Sequence, residues 1–202
     1  MDATKILESD DFKKCVEFHG HICPGLSIGY RAAKTAMAKI KEVRAEDEEM
    51  VAIVETDACS ADAVQVLTGC TFGKGNFIWR DYGKMVLILL SRKTGKGVRV
   101  AMRPGSFPQD PQHFNLLQKV MTKKASESEQ EQCWARHHQM SLEVLEIPED
   151  NLFTIETTQM ELPPMAKIEA SVLCAKCGEP TMPSKLESME GLKVCRDCRS
   201  HV

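Results

Sequence analysis

The sequence contains no apolar run near the ~20 residues a membrane-spanning helix needs. The longest, Met85–Leu90, is strand-sized. The first residues, Met1 to Lys5, lack the apolar stretch of a secretory signal, so a cytoplasmic location is expected. Charge of one sign is scarce as well: the formal net charge is -3, which offers no general attraction to nucleic acid or an acidic membrane. There is no repeat at a solenoid period and no low-complexity tract. Disulfides are not expected either. In a reducing compartment nine cysteines read as metal ligands or reactive thiols, and an odd count with four in two tight pairs points the same way. What remains is a chain of 202 residues, 43% apolar and 27% charged, enough for one domain with its own core plus a small appendage.

The densest chemistry lies in His19-Gly20-His21-Ile22-Cys23-Pro24-Gly25. Proline is favoured at the first helical position, where its missing N–H would be unpaired anyway. Cys23 is therefore expected as the N-cap, at the positive end of a helix dipole that lowers a thiol pKa. If residues 19–23 run extended, His19, His21 and Cys23 fall on one side. A soft thiolate with imidazoles suits zinc or another late transition metal. Two plainer readings stand beside it: histidines that only hydrogen-bond the backbone, or a metal-free Cys23 thiolate with His19 or His21 as base.

Residues 3–18 have a helical pattern, with Asp10 or Asp11 as a possible cap. The apolar set Leu26, Tyr30, Ala33, Met37 and Ile40 continues a helix from Pro24, with Ser27, Arg31, Lys34, Lys39 and Lys41 on its wet face. Val51–Thr56 reads as a buried strand leading into Asp57-Ala-Cys59-Ser-Ala-Asp62 and a second helix ended by Gly69. Cys59 at this helix start is the natural fourth ligand, and Asp57 and Asp62 could orient an imidazole. Three ligands would leave an open position, whereas four would close the site.

Gly69–Asn76 fails as a phosphate loop, having three residues before Gly73-Lys74 and a glycine after. Lys74 either holds an anion near the metal, with Asp57 as a second ligand-binding residue, or belongs to a tight connection. Cys70 reads as a buried thiol. Phe77–Trp79, Met85–Leu90 and Val98–Met102 are expected as an antiparallel meander with a break at 103–108. Helices follow over 110–123 and 126–147, the second opened by a Ser126/Glu129 capping box. Cys133 and His137 on it could chelate a metal, but their face reads as core. Leu152–Met160 is a half-exposed strand, and Glu161–Pro164 a linker between a core domain (1–165) and a separate module (166–202).

In that module, Cys174-x2-Cys177 and Cys195-x2-Cys198 are separated by seventeen residues. Two such knuckles complete a closed tetrahedral zinc shell, and metal binding would supply the folding energy of so short a segment. A four-cysteine iron–sulfur site is the rival. Lys167, Lys176, Lys185, Lys193, Arg196 and Arg199 face Glu169, Glu179, Glu187, Glu190 and Asp197, a balance that argues against nucleic acid and for a structural or protein-contact ribbon.

Four segments together, His19–Gly25, Thr56–Ala63, Gly69–Asn76 and Asp81–Lys84, resemble the E-subunit family of formylmethanofuran dehydrogenase. The matching stretch spans residues 12–103, while 104–165 carries no matching motif. The C-terminal module is similar to the ribbon attached to many members. The resemblance implies an α+β core, a mixed or antiparallel sheet packed with helices, commonly in a homodimer. It also implies a metal near the His-Gly-His-x-Cys loop, with His19, His21, Cys23 and Cys59 as its ligands. With the ribbon, that makes two zinc sites.

The family is named after an enzyme that fixes carbon dioxide using a molybdenum or tungsten pterin held by other subunits. The implied function is a zinc-binding accessory protein or subunit of a molybdenum- or tungsten-dependent redox system, its partner a molybdopterin or tungstopterin enzyme. Two other functions stay open. One is a free-standing metalloenzyme whose open core zinc activates water or a thiol substrate, with Asp57 or a non-ligating histidine as base. The other is a ribbon regulator contacting nucleic acid.

Overall fold

In the computed structural model, which describes residues 2–107 and 110–200, the helix expected over 3–18 is broken at Ser9. The two pieces are α1 (Ala3–Glu8) and α2 (Asp10–His19). Ser9 is extended, and its amide and hydroxyl both donate to the Ile6 carbonyl, at 3.0 and 2.6 Å. Asp10 and Asp11 consequently sit in the first turn of α2 rather than at its cap, where carboxylates suit the dipole.

The chain forms two compact units, Met1–Met165 and Ala166–Val202. In the first, α3 (Pro24–Ile40) is followed by β1 (Met50–Val54), α4 (Ser60–Thr68), β2 (Phe77–Trp79), β3 (Val86–Ser91) and β4 (Gly97–Met102). Then come α5 (Pro111–Met121), α6 (Glu127–Glu146), α7 (Glu149–Leu152) and β5 (Phe153–Thr158). The fold class is α+β with a mixed sheet. Strand order is β2-β1-β3-β4-β5, with β1 and β2 parallel and the other pairs antiparallel.

The expected meander is therefore half right. β3 and β4 form a hairpin, but β2 lies on the far side of β1. Every residue of β1 is buried, so its backbone needs a partner on both edges, and the α4 crossover returns the chain parallel to it. The turn at 81–84 carries the chain over the end of β1, where the Tyr82 and Lys84 amides both donate to the Glu55 carbonyl. Pro108, the end of the expected break, lies outside the described residues. The capping box forms as read: Ser126 Oγ accepts from the Glu129 amide and Glu129 Oε2 from the Ser126 amide.

One face of the sheet (Ala52, Val54, Leu87, Leu89, Val98, Val100) packs on the helices. The other (Val51, Ile53, Val86, Ile88, Leu90) packs under Met160 and Leu162. The segment at 161–164 is thus part of the core unit, pinned by Arg92 Nη1 donating to the Pro163 carbonyl at 2.7 Å. Ser27 and Arg31 are buried, not on a wet face. Arg31 Nη1 donates to the Val144 and Leu145 carbonyls at 3.0 and 2.8 Å, which satisfies the open C-terminal end of α6. Helix α3 meets α4 backbone to backbone: a Cβ on Gly29 would fall 2.3 Å from the Ser60 carbonyl oxygen. That contact sets the position of Cys59, which precedes α4.

The second unit is two small hairpins, β6 (Val172–Leu173) with β7 (Pro180–Thr181) and β8 (Leu186–Met189) with β9 (Leu192–Cys195), closed by α8 (Arg196–Ser200). Among the described residues no helix is long and apolar enough to cross a membrane.

Candidate metal centre

His19 is the last residue of α2. Gly20, with φ 93°, turns the chain through the left-handed region, and its amide donates to the Val16 carbonyl at 2.7 Å. Glycine takes that conformation without the steric cost a side chain would incur. The short link then ends at Cys23, the N-cap of α3, whose Sγ accepts from the Leu26 amide at 3.4 Å. The donors meet through a helix C-cap and the next N-cap, not through the extended alternation expected over 19–23.

The candidate ligand atoms of His19, His21 and Cys23 all lie within 4.8 Å of one another. His19 Nε2 is 3.6 Å from Cys23 Sγ, while its Nδ1 is 2.7 Å from Asp62 Oδ2 on α4. A carboxylate on the far nitrogen fixes the ring and its tautomer and raises its basicity as a ligand. The His19 and His21 rings lie 4.5 Å apart, centroid to centroid.

Cys59 lies outside that tight group but close by, its Sγ 3.7 Å from where a Cβ on Gly25 would stand. Its thiol also acts on Cys23. Burial, followed by the neighbouring Cys59, pushes the Cys23 thiol up to about 11. The low pKa expected of a helix N-cap is overturned, because loss of solvation outweighs the Leu26 amide. Cys23 as a free thiolate nucleophile loses its main support. The soft-donor set itself fits a late transition metal, whose positive charge offsets that desolvation.

Cys23, Cys59, His21 and Gly25 open onto a cavity of about 840 Å³. Its other wall comes from α5 and α6, with Phe114, Leu117, Met121, Trp134 and Met140. One polar pair interrupts that wall, His113 Nε2 standing 3.0 Å from His137 Nδ1. Burial lowers the pKa of both, that of His137 further through the charges of His113 and His21. Asp110 caps α5 by accepting from the His113 amide and ties it to α6 by accepting from Arg136 Nε at 2.7 Å.

Of the residues singled out by sequence, His137 is in the cavity wall but not as a chelate with Cys133, which is buried in the core. Lys74 Nζ donates to the Glu46 and Asp47 carbonyls at 3.1 Å each, which makes it part of a tight connection. Neither Lys74 nor the exposed Asp57 is in the cavity lining. Asp62, weighed only as an orienting group, has the closest contact with a donor. His113 and Trp134 were missed. Their only signal was placement on two expected helices with no motif to tie them to the His-Gly-His-x-Cys loop.

In the ribbon, Cys174, Cys177, Cys195 and Cys198 bring their sulfurs within 4.8 Å of one another. The amides of Cys177 and Cys195 pull the Cys174 thiol down to about 6, while proton sharing with Cys195 pushes Cys198 up to about 12. Four such donors form a closed zinc shell.

Residues 168–200 match the prokaryotic dksA/traR C4-type zinc finger. A protein of Archaeoglobus fulgidus described as a probable S-adenosyl-L-methionine-binding protein is 34% identical over 178 residues, 85% of this chain. The match covers 48% of that protein, so the chain spans about half the length of this curated relative. The crystal structure of a tungsten formylmethanofuran dehydrogenase E-subunit (FmdE)-like protein from Syntrophus aciditrophicus superposes with a TM-score of 0.62 at 26% identity. That similarity covers 97% of this chain and 95% of the other. Residues 18–154 match the family described as FmdE, molybdenum formylmethanofuran dehydrogenase operon. With the donor loop, the α4 start and the cavity wall all inside that match, the chain belongs to the FmdE family and ends in a C4-type zinc finger.

Proposed function

We propose that the core unit is a metal-centred ligand-binding module, and that the chain is an accessory protein or subunit of a molybdenum- or tungsten-dependent redox system. The observation that carries the first part is the cluster of His19, His21 and Cys23, two of whose members, His21 and Cys23, line the 840 Å³ cavity. A closed structural site would have no use for such a space beside it. The second part is supported by the family's description and by the similarity to a tungsten formylmethanofuran dehydrogenase protein.

His19, His21 and Cys23 would hold the metal, with Cys59 as a fourth donor that a ligand could displace. Zinc bound there would supply Lewis acidity at a position facing the cavity. Asp62 keeps His19 turned towards the thiol, and the apolar wall excludes water and favours a ligand with an apolar body. The working form is a cytoplasmic homodimer, with the ribbon as a protein-contact module. S-adenosylmethionine binding belongs to the curated relative as a whole, and the half outside the match could carry it.

A second reading, a free-standing metalloenzyme, is favoured by one observation: the His113–His137 pair faces the donors and could move a proton. Turnover without a partner would support it.

Elemental mass spectrometry tests the core centre, with the ribbon as an internal standard of one metal per chain. Two metals per wild-type chain, falling to one in Cys23→Ser and in His19→Ala, are expected. One metal in the wild type, unchanged in both variants, would sink the proposal. Co-purification with a pterin-containing protein tests the accessory role.

A further inference from the structure

Among the described residues, the cavity wall opposite the donors is apolar except for Asp110 and one imidazole pair. His113 Nε2 and His137 Nδ1 are 3.0 Å apart, so one must donate to the other. His113 is only 6% exposed, and its Nδ1 is buried without any partner. A buried N–H with no acceptor is rarer and costlier than a bare lone pair. The network therefore assigns the His113 proton to Nε2, donating to His137 Nδ1, and leaves Nδ1 of His113 as the bare nitrogen. His137 must then carry its own proton on Nε2. That nitrogen has no hydrogen-bond partner among the described residues, and His137 lines the cavity. His21, one of the core donors, lines the same cavity as His137.

Among the described residues no lysine or arginine lines this cavity, and the one carboxylate, Asp110, is already held by Arg136 and the His113 amide. A ligand is therefore met by two polar features, the metal-binding wall and the His137 N–H, and otherwise by Phe114, Leu117, Met121 and Trp134. We infer that His137, with its tautomer set by His113, is the hydrogen-bond donor that selects ligands, and that the class it selects is a carboxylate on an apolar body. The inference rests on the reading of the core as a metal centre. A carboxylate has one oxygen for the metal-binding wall and a second to accept from His137. An alcohol of the same length has only one.

The test uses the full chain in a Trp79→Phe background, which leaves Trp134 as the sole tryptophan and makes its fluorescence a reporter of the cavity. The probes are octanoate and octan-1-ol, and metal content is measured on every sample. Octanoate is expected to bind more tightly than octanol, and His137→Phe to weaken octanoate about tenfold or more while octanol is unchanged. His137→Gln, whose amide can donate from a similar place, should restore part of the preference. Because it keeps a polar group in the wall, it also guards against a His137→Phe chain that fails to fold. Equal binding of the two probes, or a preference untouched by His137→Phe in a chain that retains two metals, overturns the inference. If only the ribbon metal is found and the His137-dependent preference persists, the metal reading fails while the role of His137 stands.

Discussion

In the ribbon, four sulfurs within 4.8 Å come from two Cys-x2-Cys turns, set among two short hairpins, a 3-10 turn at Pro183–Lys185 and a five-residue helix. In the core unit, three donors within the same span come from a helix end, a short link and a helix cap. They are backed by the 17-residue α3 and a five-stranded sheet. The ribbon depends on its metal for a fold, because so few buried side chains cannot offset chain entropy. The core unit has its own apolar interior and is expected to keep its fold without a metal. On the proposed reading, the same donor chemistry is structural in one place and available for binding in the other.

The largest effect that could break this contrast is metal removal. A chelator, or Cys174→Ser, should unfold the ribbon, since structural zinc contributes on the order of 10 kcal/mol to such modules. Hydrogen exchange should show lost protection over 166–200, with the β1 and β3 amides still protected. Loss of protection in both units would mean the core also needs its metal to fold.

Gly29→Ala is next. The added methyl would meet Ser60 backbone atoms at 2.3–2.8 Å, so α3 and α4 must separate. Overpacking of this kind costs about 3 kcal/mol. The core melting temperature should fall and core metal should be lost as Cys59 and Asp62 move, while ribbon metal is retained.

Asp62→Asn sharpens the contrast without touching the fold. Losing the carboxylate on His19 Nδ1 should weaken core metal affinity about 10- to 100-fold, read by competition with a chromogenic chelator, with ribbon affinity unchanged. An unchanged core affinity would mean that His19 is not a ligand.

The smallest effect is acid-dependent. Hydrogen bonds from Lys34, Ser9 and Tyr30 overcome the burial cost and hold the Asp11 carboxyl down at about 2, against an ordinary 3.8. Because the folded value is depressed, this stabilisation is present above about pH 4 and fades as pH falls towards 2. After allowance for the solvent-exposed part of the pair, it amounts to about 1 kcal/mol. Asp11→Asn should lower core stability by that much at pH 7 and by almost nothing at pH 2. The ribbon should release zinc well before that clamp weakens, as its thiolates protonate.

How much of this was legible in the sequence followed sequence distance. The ribbon, the Ser126/Glu129 box and the Cys23 cap were readable because each is decided within a few residues. The His19–Cys23 loop was readable as a cluster but not as a geometry, since Gly20 in the left-handed region, rather than an extended run, brings the donors together. The parallel placement of β2 was hidden because its turn looked like a hairpin, and only the demand of a fully buried β1 for two partners decides it. Arg31 reads as a surface residue until the carbonyl end of α6, more than a hundred positions away, is found to need donors. The His113–His137 wall had no local signal at all.

The sequence by itself determined most of the core elements, the Cys23 and Ser126 caps, the four-cysteine spacing and the kinds of donor in the core, because these depend on side-chain chemistry and short-range backbone geometry. Only the tertiary structure decided that the Cys23 thiol is held high by burial, that Asp62 rather than Asp57 steadies His19, and that a histidine pair from α5 and α6 faces the donors across a cavity. Those outcomes depend on solvent exclusion and on distances between segments far apart in the chain. Local pattern cannot encode them.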